Sequence, residues 1–141
     1  MKKYYHIFVD GIDKTGKDTV CVYLDRLSGR SVIAKPRGIL SQIAYSELFK
    51  RGYEYDLSFQ DNVVNVLLEV DKEDWEVRCA LSNEKKIDYD SHSHCFKKSF
   101  KYLQQKSNSI TLCYNTSHMT PYEIAKDILK KVNILNGELY A

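Results

Sequence analysis

Tyr4-Tyr5-His6-Ile7-Phe8-Val9-Asp10-Gly11-Ile12-Asp13-Lys14-Thr15-Gly16-Lys17-Asp18-Thr19 decides the fold. Its apolar, aromatic first half reads as a buried strand, and a helical pattern opens near Thr19. Between them, Gly11, Gly16 and Lys17 fall on the G-x-x-x-x-G-K spacing of a phosphate-binding loop. Glycines let backbone N–H groups turn inward around phosphate oxygens, the helix N-terminus adds partial positive charge, and the lysine reaches the β- and γ-phosphates. This makes Gly11, Thr15, Gly16, Lys17, Asp18 and Thr19 the candidate phosphate site, with Lys17 its main cation. One position departs from the pattern. Asp18 stands where a Ser or Thr hydroxyl would meet Mg²⁺.

The rest of the chain bounds the possibilities. Its 141 residues suit one domain with a real core. A net charge of +2 leaves no electrostatic footprint for nucleic acid or an anionic membrane. Cys21, Cys79, Cys95 and Cys113 are scattered without a C-x-x-C pair, which fits a reduced, cytoplasmic protein. No apolar run reaches signal-peptide or membrane-spanning length.

Periodicity places a helix from Thr19 to about Leu27, a short strand over residues 31–34, and a helix from Ile39 to about Lys50. Val63 to Val70 is the clearest buried strand, followed by a helix that Asp71 caps and that carries Trp75, Val77, Arg78 and Leu81. Residues 53–62 are less regular. A polar stretch over 82–91 precedes a helix from about Ser93 to Gln105 and a strand over 109–114. The last helix opens at Thr120, with Pro121 in its first turn and Glu123 completing a capping box, and a loose tail follows Asn133. Strands alternating with helices predict an α/β, three-layer P-loop fold with a parallel sheet. Right-handed crossovers then give the strand order 2-1-3-4 and put the loop where the order reverses.

Three segments, FVDGIDKTGKDT (8–19), VLLEVDKEDWEVRCAL (66–81) and SITLCYNTSHMTPYEIAKDILKKV (109–132), follow one another in the order of a known family. With them the sequence resembles the thymidylate kinases and their nucleoside monophosphate kinase relatives, over about two thirds of its length. The resemblance implies ATP and Mg²⁺ as cofactors and transfer of the γ-phosphate to a nucleoside monophosphate such as dTMP or a modified nucleotide. It also implies a lid, here residues 82–92 with Asp88-Tyr89-Asp90. VIAKPRGILSQIAY (32–45) is similar to a family segment in which Asp-Arg-aromatic runs into Ser-Ser-x-Ala-Tyr; Pro36 then replaces the aspartate. A second alignment sets it on an earlier strand that ends in Arg-Glu-Pro-Gly. On the first alignment, much of the acceptor pocket is missing, and a homodimer partner or an unusual acceptor would make up for it.

The resemblance assigns roles residue by residue, each beside a plainer reading. Lys14 matches a catalytic arginine of some members, or is a solvated loop lysine. Asp13 matches a carboxylate on the acceptor sugar, or caps a turn. Arg37 is a clamp for the acceptor phosphate, or a surface arginine. Ser41, Tyr45 and Tyr89 fall on the acceptor side. Arg78 matches the arginine that stacks on the donor adenine, or is salt-bridged on a charged helix. Asp18, a hard-cation ligand by chemistry, takes over metal duty, or marks a decayed site. A nucleotide-binding protein with little turnover and a regulatory or assembly role is the alternative function. His92, His94 and Cys95 read as a polar entry to a helix, and Cys113 has no base to make it a nucleophile.

Overall fold

A computed structural model describes residues 5–12, 14–50, 57, 62–82 and 87–136. In chain order the elements are β1 (His6–Asp10), α1 (Lys17–Leu27), β2 (Ile33–Pro36), α2 (Ile39–Leu48), β3 (Val63–Glu69), α3 (Lys72–Ala80), α4 (Tyr89–Lys106), β4 (Ile110–Asn115) and α5 (Pro121–Asn136). All pairings are parallel and the order is β2-β1-β3-β4, the predicted 2-1-3-4. Pro36, which has no N–H to give, sits in edge strand β2 opposite Val9.

Side chains alternate across the sheet, so the central strand β3 feeds a core on each face. Ile7 and Val9 of β1, with Val64, Val66 and Leu68 of β3, pack with Val20 and Leu24 of α1 and Ile124, Ile128, Leu129 and Val132 of α5. On the other face Leu67 packs with Leu40, Ile43 and Ala44 of α2, Trp75 and Cys79 of α3, and Phe96 and Leu103 of α4. The arrangement is three-layered, with β3 wholly interior: six of its seven residues are buried. That explains its largely apolar run, broken only by the buried Asn65, whose Nδ2 donates to Ser109 Oγ at 2.9 Å. The capping box also forms. Glu123 N donates to Thr120 Oγ1 at 3.2 Å, and Thr120 N donates back to Glu123 Oε1 at 3.2 Å.

The structure departs from expectation in several places. Helix α1 begins at Lys17, two residues early, and β2 lies two residues later than its apolar run. Helix α4 begins at Tyr89, inside the expected lid. Its first turn is pinned by tertiary contacts: the Tyr89 hydroxyl donates to the Val70 carbonyl at 2.5 Å, and its ring lies 5.4 Å from that of Trp75. Residues 83–86 of that lid, and most of the irregular 53–62 stretch, lie outside the described residues. In α3 the buried stripe is Trp75 and Cys79, one turn apart, while Val77 and Leu81 face outward. Phe49, a large apolar residue at the end of α2, is nonetheless exposed and stacks on Tyr45 at 6.0 Å. Asp71 takes the N-cap position of α3, but its carboxylate accepts from Asn115 Nδ2 at 2.9 Å and pairs with His118 at 3.1 Å instead of capping. No helix among the described residues is long and apolar enough to cross a membrane.

Candidate phosphate-binding site

The loop between β1 and α1 is bent by left-handed backbone at Gly11 (φ 154°), Lys14 (φ 67°) and Gly16 (φ 91°). Gly11 is needed for space as well as conformation. A Cβ there would lie 2.5 Å from the Leu68 carbonyl oxygen of β3 and 3.0 Å from Thr15 Oγ1. Gly16 supplies the N-cap of α1 without any side-chain cap. The first intrahelical bond is Val20 N to Gly16 O at 3.0 Å. Earlier amides of α1 therefore have no acceptor within the helix, which is the feature that favours an anion at a helix start.

Lys17 closes the loop. Its side chain is buried, and the ammonium donates to the carbonyls of Gly11 at 2.7 Å and Ile12 at 2.9 Å. The Thr15 hydroxyl donates to Ile12 O at 2.8 Å, a second tie across the same bend. Asp18 and Thr19, next along, are exposed on the first turn of α1. Asp13 lies outside the described residues.

Arg78 reaches the loop from α3. It donates to the Lys14 carbonyl at 2.8 Å, to Thr116 Oγ1 at 3.0 Å and to the Thr116 carbonyl at 3.1 Å. This corrects the salt-bridge alternative: the partners are neutral oxygens on two loops. Lys14, Thr15, Gly16, Arg78, Thr116 and Pro121 line one hollow of about 310 Å³. Thr116 and Pro121 extend the candidate site beyond the residues singled out from sequence. Thr116 gave no motif signal, because its role depends on a strand end meeting a loop a hundred residues earlier.

The acceptor-side candidates group less tightly. Arg37, with φ 67°, donates its N–H to Val9 O at 2.9 Å, and its side chain is exposed. Ser41 is buried, and its hydroxyl donates to Asp10. Tyr45 sits one turn further along α2, edge-on to Phe96 at 5.6 Å and to His92 at 5.8 Å. Tyr89 has its hydroxyl committed to Val70, as above. His92, His94 and Cys95 fall within α4, and among the described residues no group of three or more potential ligands could hold a metal. Cys113 is exposed at the sheet edge, and its thiol donates to Glu69 Oε1 at 3.4 Å; partial desolvation first and the Glu69 carboxylate second push its pKa up to about 12. It is a thiol, not a thiolate, at neutral pH.

Asp10 is the buried acid of the site. Burial raises its pKa above the usual carboxylate value, against the pull of its hydrogen bonds to Ser41 and Gly38 and of the Lys17 charge. A raised pKa means the folded protein holds this proton more tightly than the unfolded chain. Its contribution to stability is therefore full below 3.8 and is lost as pH rises through the higher folded value. Urea unfolding across a pH series is expected to give Asp10→Asn a more favourable change than wild type as pH rises above 4. Parallel curves for the two proteins would contradict the raised pKa.

No family model matches the chain, and no curated protein matches it. Among solved structures, the chain is similar to the YorR protein of Bacillus subtilis, crystallised in complex with phosphorylated GDP. The TM-score is 0.74 at 18% identity, over 96% of this chain and 99% of that one. That likeness shows that the two chains share a fold.

Proposed function

We propose that this protein is a nucleotide kinase that moves the γ-phosphate of ATP to a nucleoside monophosphate, dTMP or a modified nucleotide being the acceptors the family resemblance suggests. The observation that carries this reading is the closed loop at 11–17, with the Lys17 ammonium buried at its centre and a helix start behind it. Phosphoryl transfer asks mainly for positioning and charge neutralisation, and such a loop supplies both. Polyphosphate oxygens would replace the Gly11 and Ile12 carbonyls as partners of Lys17. Lys14, at the lip of the hollow, would neutralise charge between donor and acceptor.

Arg78 has three hydrogen bonds fixing its guanidinium between the loop and Thr116. What remains for a donor base is contact with its flat face, as the resemblance implies. Arg37 and Asp13 would serve the acceptor. The nucleotide held by the YorR protein supports the ligand class.

Mg²⁺ fits the donor set modestly. Asp18 offers one exposed carboxylate beside Lys17, and Mg²⁺ in phosphate sites takes few protein ligands, the others being phosphate and water. The ion would neutralise charge on the β- and γ-phosphates. Under this assignment, Asp18→Thr binds ATP more weakly than wild type in the presence of Mg²⁺, by about 10-fold. Equal or tighter binding by the threonine variant, measured by magnesium-dependent titration, would refute the metal role.

A second reading, nucleotide binding without turnover, is favoured by Pro36 standing where the family aspartate is expected. A coupled ADP-release screen across deoxynucleoside monophosphates decides between them. ADP released with one acceptor supports the kinase, whereas ATP binding with no acceptor-dependent ADP release supports the binder.

A further inference from the structure

Alternation along β1 turns Phe8 and Asp10 away from α1 and toward α2. Both meet the start of that helix. A Cβ on Gly38 would lie 2.6 Å from Phe8 Cβ, so only glycine brings the chain this close. Asp10 Oδ1 accepts from Gly38 N at 2.7 Å, from Ser41 N at 3.3 Å and from the Ser41 hydroxyl. Gly38 is the N-cap of α2 and Ser41 its third residue, and α2 has no side-chain cap of its own. The capping oxygen therefore comes from another strand, 28 residues earlier than the amide it meets at Gly38. The carboxylate also stands at the helix end where negative charge is favoured. Asp10 itself has no exposed surface, and its other oxygen, Oδ2, has no hydrogen-bond partner among the described residues.

Asp10 is also the residue before Gly11, so its carboxylate is joined covalently to the phosphate loop and by hydrogen bonds to the helix that follows Arg37. We infer that Asp10 is a positioning residue whose carboxylate caps α2 in trans and thereby fixes the acceptor side of the site relative to Lys17. The functional half of this inference rests on the kinase reading; the capping half does not. Ser41 then acts through Asp10, as a donor to the clamp, and not by touching the acceptor.

The test uses full-length wild type, Asp10→Ala, Asp10→Asn and Ser41→Ala, with three readouts. These are amide hydrogen exchange at residues 38 and 41, ATP affinity, and KM for the monophosphate turned over in the ADP-release screen. Loss of a cap corresponds to about a 10-fold rise in exchange at those amides for Asp10→Ala. Acceptor KM is expected to rise about 10-fold while ATP affinity stays within about 3-fold, because the displaced element carries only the acceptor side. Asp10→Asn, whose amide carbonyl can accept the same bonds, restores most of both losses. Exchange at 38 and 41 unchanged in Asp10→Ala would overturn the clamp. ATP affinity falling as far as acceptor KM rises would overturn the acceptor-side role. Should Asp10→Ala fail to fold, Ser41→Ala carries the same comparison with an effect of about 3-fold, since it removes one hydroxyl donor. A wild-type protein with no turnover refutes the kinase reading alone, and the exchange comparison still decides the clamp.

Discussion

Replacing Lys17 with methionine is expected to lower phosphoryl transfer at least about 100-fold while leaving the protein folded, the loss typical of removing one preorganised charge donor from a reacting oxygen. The geometry makes the expectation specific. The ammonium is buried inside the loop and donates to the Gly11 and Ile12 carbonyls, the place from which it would meet a reacting phosphate oxygen. Methionine keeps the length and apolar stem of the side chain, and burying it avoids the cost of desolvating an ammonium. Circular dichroism and thermal melting should therefore stay near wild type while ADP release collapses. A Lys17→Met protein with activity within a few-fold of wild type would remove Lys17 from the chemistry.

Gly11→Ala should instead act on the fold. The added methyl would sit 2.5 Å from the Leu68 carbonyl oxygen, a backbone atom of the central strand that cannot step aside, at a φ of 154° that L-residues rarely adopt. Overpacking and backbone strain together suggest a loss of about 3 kcal/mol. For a chain of this size that is a fall in Tm of about 10 °C. Gly29→Ala is the control. Its φ of 61° is also left-handed, but nothing lies within 4 Å of the new Cβ, so the cost is the conformational part alone, about 1 kcal/mol. Equal losses for the two variants would mean that the approach of β3 to the loop is not as close as described.

The sheet was legible because its signals are local and its topology is constrained. The run from Val63 to Val70, the glycine spacing around Lys17 and the Thr120-Pro121-Glu123 cap each act within a few residues, and handed crossovers order the strands. What escaped reading depends on contacts between distant segments. The early start of α4 comes from Tyr89 bonding the Val70 carbonyl, and the outward turn of Val77 from the choice of Trp75 and Cys79 as the buried stripe. Arg78 could be singled out as cationic and near the site, but not as the bridge between Lys14 and Thr116, 64 and 38 residues away. Ser41 aligned with an acceptor-side position, yet its hydroxyl is committed to Asp10, 31 residues earlier. Motifs gave the loop; only tertiary structure gives the joint between the loop and α2.

The kinase reading requires residues 11–19 to grip a polyphosphate. Titrating ¹⁵N-labelled protein with ATP while following backbone amide resonances tests it most directly. The largest shifts are expected on Thr15, Gly16, Lys17 and Asp18, and Lys17→Met is expected to abolish or greatly weaken them. Saturable shifts centred elsewhere in the chain, or no shift at millimolar ATP, would contradict it.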